Sequence, residues 1–209
     1  MQTRRLLLLS KGFSTESIKH GFLSSFSLTP NQVNVAIIPT ASAEWKEKHK
    51  GAVSAFEYFK STGFKNIDFI DIEYQSPELL KNYEIIFISG GDPFYLLRHL
   101  KYTGTDKVLK KLYEQGVCMV GSSAGAMIFG TNIRAVLLFE PKRDTSGLTD
   151  FSSLACIPFA VLPHADQLLQ QYENYNEIME TVDKKSGDKI LAINDNDGVL
   201  FLDDVVQFI

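Results

Sequence analysis

The residues best placed to do chemistry are Gly121-Ser122-Ser123-Ala124-Gly125, a Gly-x-Ser-x-Gly run. An apolar strand pattern, Gly116-Val117-Cys118-Met119-Val120, precedes it, and a helix start, Ala126-Met127-Ile128-Phe129, follows. Strand, sharp turn and helix in that order force the central serine into a tight backbone position that pushes its hydroxyl away from the main chain. The residues two before and two after must be small, and Gly121 and Gly125 are. The helix that follows aims its first N–H groups at the same point, where they can hold an oxyanion. Without chemistry the run would be only a Gly-rich strand-to-helix turn. Ser122, at the x position, is the rival nucleophile, but the turn would not present it in the same way.

A serine needs an adjacent base, most often a histidine oriented by a third group. The chain has four histidines. His20 and His49 lie in or beside amphipathic helical patterns and read as surface residues; His99, in Leu97-Arg98-His99-Leu100, reads as a helix-face residue. His164 instead follows the apolar run Phe159 to Leu162 and Pro163, which puts it at the C-terminal end of a strand, where open parallel sheets gather their sites. Asp195 stands at the end of another strand, Ile190 to Ile193, and leads as the orienting carboxylate. Asp197 and Asp166 are alternatives, and both Asp195 and Asp197 suit the turn Asn194-Asp195-Asn196-Asp197-Gly198 for backbone reasons alone. A second glycine-rich strand end is Ile88-Ser89-Gly90-Gly91-Asp92-Pro93. There Asp92 can cap a helix with Pro93 at its first position. The N–H of Gly91 can also converge with that of Ala124 on one oxygen, and the two readings are compatible.

The elements that must position these residues alternate between short β-branched runs and longer helical patterns, the signature of βαβ units in a parallel sheet. Strands are expected at residues 5–9, 33–39, 66–70, 84–88 and 117–121, with helices at 14–25, 46–61, 76–81 and 93–115, the last broken near Gly104. The mixed-charge stretch from Glu44 to Lys50 reads as a solvated helix face. Beyond Gly130 a helix-like run is expected at 148–155, then a strand at 158–162, a helix at 167–184, and closing strands at 189–193, 199–202 and 205–208, the last two joined by an Asp203-Asp204 hairpin turn. No linker divides residues 1–209, so one domain is expected.

With 44% hydrophobic and 22% charged residues, the 209-residue chain has material for one sizeable core. A net charge of -4 gives no reason to expect nucleic acid or an acidic membrane surface as partner. The run Leu6 to Leu9 is too short for a signal peptide, and no stretch approaches the roughly 18 apolar residues of a membrane span. Cys118 and Cys156 sit in apolar runs and form neither a disulfide framework nor a metal-ligand spacing, so a cytoplasmic location is expected. Nothing in the sequence speaks to oligomeric state.

Taken together, Gly90-Gly91-Asp92, Gly121 to Ala126, Pro163-His164 and Asp195 resemble, in that order, the motifs of peptidase family S51, the dipeptidase E and cyanophycinase-like serine peptidases. The strand end Ile38-Pro39-Thr40-Ala41-Ser42 is similar to the family's corresponding loop. The resemblance implies a three-layer α/β/α fold with a mostly parallel, flavodoxin-like sheet, shared with class I glutamine amidotransferases. It also implies hydrolysis of short peptides by a Ser123-His164-Asp195 triad with Gly91 and Ala124 as oxyanion donors, and no metal or organic cofactor. Its serine, histidine, acid order differs from the serine, acid, histidine order of α/β-hydrolases. One departure bears on the substrate. Aspartyl dipeptidases hold the substrate's aspartate with arginines in the helix after the histidine, whereas Glu173-Asn174-Tyr175-Asn176-Glu177 has none. Strict Asp-X specificity is therefore not expected, because an unpaired buried carboxylate is costly. Asp92 and Tyr175 are the candidate substrate contacts, and Tyr172 and Tyr175 either line a different pocket or simply pack. The same site would also serve a hydrolase of other amides or esters, or a silent small-molecule-binding homologue.

Overall fold

Four consecutive leucines, Leu6 to Leu9, are fully buried, so the strand that carries them is covered on both faces. The structure is a computed structural model that describes residues 3–26, 29–185 and 189–209, with side chains at 181–185 left aside. Five parallel strands form the body of the sheet: β1 (Arg5–Leu9), β2 (Asn34–Ile38), β3 (Asn66–Phe69), β4 (Ile85–Ile88) and β5 (Cys118–Ser122). Two further strands, β6 (Ala160–Pro163) and β7 (Ile190–Ile193), pair in parallel apart from this sheet. An antiparallel hairpin, β8 (Gly198–Leu202) and β9 (Val205–Phe208), extends the β1 edge, giving seven strands in the order β3-β2-β4-β5-β1-β8-β9.

Side chains alternate across this sheet with a period of two, and each face has its own apolar layer. Leu7, Leu9, Val35, Ile37, Phe87 and Val120 meet Ile18 and Phe22 of α1 (Glu16–Ser24) and Ala52 and Phe59 of α2 (Lys50–Ser61). Leu6, Leu8, Ile38, Ile86, Ile88 and Met119 meet Phe94, Leu97 and Leu100 of α3 (Pro93–Thr103) and Leu109 of α4 (Thr105–Glu114). The result is the expected three-layer arrangement, with the helix break at Gly104 between α3 and α4. The short helix α5 (Ala124–Met127) follows β5 directly.

Four segments depart from the sequence reading. Residues 148–155 are not helical. They run irregularly beside residues 131–133, with an isolated bridge between Asn132 and Ser152, and Asp150 accepts from the Ser152 N–H at 2.9 Å, a local bond that competes with helix formation. The helix expected at 167–184 is two helices, α7 (Ala165–Gln171) and α8 (Tyr175–Lys185), separated at Tyr172, whose ring packs on Phe139. Phe139 itself ends α6 (Ala135–Phe139), which the sequence reading lacks. The Glu44 to Lys50 stretch is not one solvated helix face either. It holds a short 3-10 turn at Lys46–Lys48 before α2 begins, and the Lys46 ammonium turns inward onto Asp71 and Glu73.

Candidate active site

Ser123 sits between β5 and α5 at φ 52, ψ -116, a conformation sparsely populated by non-glycine residues. Its N–H donates to the Leu9 carbonyl at 2.9 Å, and its carbonyl accepts from the Ala126 N–H at 2.9 Å, so the strained residue is held from both sides. Close approach explains the neighbouring glycine: a Cβ on Gly125 would lie 2.1 Å from the Ile88 carbonyl oxygen. Such packing drives α5 against the strand ends and leaves the serine hydroxyl at the sheet's C-terminal edge.

There Ser123 Oγ lies 2.9 Å from His164 Nε2. His164 ends the β6 connection in a left-handed conformation (φ 58) and opens α7. Its Nδ1 is 2.5 Å from Asp195 Oδ1. An ionised carboxylate only accepts, so the proton belongs on Nδ1 and Nε2 is left to accept from the serine. Asp195 follows β7 and is buried, 6% exposed. Burial would raise its pKa, but hydrogen bonds from His164, Gln167 and Ser10 outweigh that and hold it below the usual carboxylate range. The Ser10 hydroxyl donates to Asp195 Oδ1 at 3.0 Å and accepts from the His164 N–H at 2.8 Å.

The other candidates fall in different places. Ser122 is the last residue of β5 and is buried; the imidazole bonds Ser123 instead. Asp166 accepts from the Asp195 N–H at 3.1 Å, and Asp197 accepts from the Asn194 amide at 2.9 Å, so both build backbone and turn. His20 is exposed; His99 lies against the Tyr95 ring, 4.4 Å between centroids. His49, read as a surface residue, caps α2 by accepting from the Gly51 N–H and lines a cavity beside Ser123; burial, with the Lys50 charge, lowers its pKa. Gly91 has φ 147, and a Cβ there would meet the Ala41 carbonyl oxygen at 2.3 Å, so no other residue fits without a shift. Among the described residues, the N–H groups of Gly91 and Ala124 have no hydrogen-bond partner within the protein. The Asp92 carboxylate caps α3, accepting from the N–H groups of Phe94 at 2.8 Å and Tyr95 at 2.9 Å, and its second oxygen faces Arg143 at 3.3 Å. Tyr175 stacks on Phe139, 5.6 Å between centroids, behind the cavity wall that Phe139 forms.

Two cavities meet at Ser123, His164 and Gly91. One, about 130 Å³, is walled by Met127, Val136, Phe139, Leu162 and Leu168, with Glu140 and Arg143 also lining it. The other, about 590 Å³, is lined by Lys11, His49, Lys50, Gln167 and Asp195, among others. The sequence reading overlooked Ser10, Gln167, Glu140 and Arg143. Ser10 carried a usable signal, a polar residue at the C-terminal end of an apolar strand. Gln167 carried a weaker one, its i+3 spacing from His164. Among the described residues no cluster of His, Cys, Asp and Glu is arranged to hold a metal, and no helix is long and apolar enough to cross a membrane.

A mostly parallel α/β/α sandwich with a serine on a strained strand-to-helix turn is the class to which fold and geometry point. Residues 6–209 match the model of Peptidase family S51, and the chain belongs to that family. It is 33% identical over 136 residues to Uncharacterized peptidase PM1590 of Pasteurella multocida strain Pm70, an alignment covering 63% of this chain and 64% of the relative. Peptidase E of a Nostoc species is 26% identical over 174 residues, covering 78% of this chain and 66% of the relative. The matches to the first relatives therefore span less than two thirds of their length, down to 42% for Uncharacterized peptidase Lmo0363 of Listeria monocytogenes. A crystal structure from Listeria monocytogenes EGD-e described as a peptidase E protein superposes with a TM-score of 0.76 at 25% identity, covering 99% of this chain and 98% of that one.

Proposed function

We propose that the protein is a serine peptidase of short, dipeptide-like substrates, with Ser123 as nucleophile, His164 as general base and acid, and Asp195 as the group that holds the imidazole. Ser123 Oγ attacks the scissile carbonyl while His164 Nε2 takes its proton; the imidazolium then gives that proton to the leaving amine. Water, activated by the same nitrogen, hydrolyses the acyl-enzyme. The unpartnered N–H groups of Gly91 and Ala124 are the donors for the oxyanion. Asp92 and Tyr175 act on the substrate side indirectly, Asp92 by orienting Arg143 and Tyr175 by backing Phe139. The reaction written this way needs no metal or organic cofactor. Cys118 and Cys156 are both free thiols, which suits a reducing compartment, and we place the enzyme in the cytoplasm as a single domain.

The observation that carries this reading is the continuous hydrogen-bond chain from Ser123 through His164 to Asp195, assembled from three distant segments and opening on two cavities. A fluorophosphonate probe should label Ser123 stoichiometrically. Ser123→Ala should abolish both labelling and dipeptide turnover, a loss of about 10⁴-fold or more, without changing the melting temperature much. Undiminished turnover in that variant would remove the proposal.

A further inference from the structure

The two cavities differ in size and in charge. The walls of the smaller one are apolar, and its volume of about 130 Å³ suits a single medium-sized side chain. Its one cation, Arg143, is already claimed by two carboxylates: Glu140 at 2.8 Å and Asp92 at 3.3 Å. Asp92 lies just outside the lining, but two acids sharing one guanidinium leave this corner of the site net negative. A substrate aspartate entering there would lose water to an apolar wall and find its only cation occupied, which is the costly way to bury a charge. A substrate ammonium faces the opposite situation. Glu140 is about half exposed, and its carboxylate has lone pairs left to accept from that ammonium while it keeps Arg143, so no ion pair has to break.

The larger cavity carries Lys11 and Lys50. Lys11 is mostly exposed and stands 3.6 Å from Asp195, beyond a close hydrogen bond, so its ammonium is available to a ligand anion. The direction of the scissile bond across the two cavities follows from their shared edge. Ala124, one of the two proposed oxyanion donors, lines only the smaller cavity, which puts the acyl side there. Asp195 and Gln167, on the far side of His164 from that cavity, line only the larger one, which puts the leaving group there.

We infer that the smaller cavity is the subsite for an uncharged apolar N-terminal side chain, and that the charged edges orient a short zwitterionic peptide, its ammonium at Glu140 and its carboxylate at Lys11 and Lys50. This inference rests on the serine-peptidase reading and names its substrate class: free dipeptides and similarly short peptides beginning with a residue such as leucine or methionine.

The test is kcat/KM for Leu-Leu, Met-Leu, Asp-Leu, N-acetyl-Leu-Leu and Leu-Leu amide, measured with the native chain, Ser123→Ala and Glu140→Lys. Leu-Leu and Met-Leu should exceed Asp-Leu by about 100-fold. Blocking either terminus should raise KM about tenfold, the loss of one charge-assisted contact. Glu140→Lys, at an exposed site that tolerates substitution, reverses the rim charge and should narrow the Leu-over-Asp ratio at least about tenfold. Preference for Asp-Leu, with Ser123→Ala inactive, would overturn the inference and leave the serine-peptidase reading standing. Equal turnover of blocked and free peptides, or an unchanged ratio in Glu140→Lys, would also overturn it. No turnover of any peptide above the Ser123→Ala background would bring down both.

Discussion

Two polar networks lie at the C-terminal edge of the sheet, and they differ in where they end. In one, the Lys46 ammonium is held by Asp71 at 3.1 Å and by Glu73, and it sits over the Tyr74 and Tyr95 rings, 5.3 Å from each centroid. Tyr95 donates to Glu73 at 2.7 Å and Thr40 to Asp71 at 2.6 Å, so the network closes on itself. In the other, Asp195 and His164 lead to a serine hydroxyl facing two cavities. Both contain non-glycine residues at positive φ: Lys46 at 47, Ser123 at 52 and His164 at 58. A left-handed backbone therefore marks a position that the surrounding structure constrains, not a catalytic one. Chemistry requires in addition a chain of donors with an open end.

The largest effect that would break this contrast is expected from Asp195→Asn. An amide opposite Nδ1 no longer fixes the tautomer that leaves Nε2 free to take a proton, so kcat/KM for a dipeptide should fall by about 10⁴. A loss below tenfold in a variant with native circular dichroism would mean that the Ser123 chain, like the Lys46 network, is only structural.

Lys46→Met is the converse experiment. It leaves Asp71 and Glu73 partly buried without their cation, and urea unfolding should show a loss of about 2 kcal/mol, while kcat of the folded protein stays within about twofold. A large fall in kcat at unchanged stability would join the two networks into one machine. The same variant sharpens the comparison through pH. Burial alone would raise the pKa of Glu73, but Lys46, Tyr95 and Tyr74 bring it down to about 2 from an ordinary 4.5. A carboxylate depressed by folding contributes stability that is fully present above its unfolded value and is lost as pH falls through its folded one. The native chain should therefore lose part of its stability between about pH 4.5 and pH 2, and Lys46→Met should flatten that portion of the acid limb.

The contrast also separates what the sequence makes legible from what it does not. Buried strands such as Leu6 to Leu9 and Ile85 to Ile88 are continuous apolar runs, and a strand end followed by Gly-x-Ser-x-Gly is a local pattern, so the sheet and Ser123 can be read directly. His164 and Asp195 are legible for a related reason: topology brings the C-terminal ends of parallel strands to one edge. The Lys46 network is not legible, because it joins residues from the ends of two strands and from α3, and its charges look like any solvated run until the pairing is known. The five-residue helix α6 escapes for want of length, since so short a stretch shows no helical period. With it go Glu140 and Arg143, so the lining of the smaller cavity is less readable than the hydrogen-bond chain beside it.

The smallest expected effect concerns Ser10, which is buried at the end of β1. Its hydroxyl bridges the two members of the site that the strands cannot hold by themselves. It donates to Asp195 Oδ1, and it accepts from the N–H of His164, a residue whose left-handed backbone takes that N–H out of the regular ladder. Ser10→Ala removes both bonds and touches no substrate-facing wall of the smaller cavity. The Asp195 carboxylate keeps its bonds from His164 and Gln167, so the site should still assemble, but with the imidazole less firmly aimed. Misplacing a general base by a fraction of an ångström affects proton transfer and not substrate binding, so kcat should fall about tenfold while KM is unchanged. The lost bonds should also cost about 1 kcal/mol of stability, visible as a lower urea midpoint at constant slope. A rise in KM at constant kcat would instead assign Ser10 to the larger cavity's substrate contacts, and it would move the boundary between the residues that aim the base and those that hold the peptide.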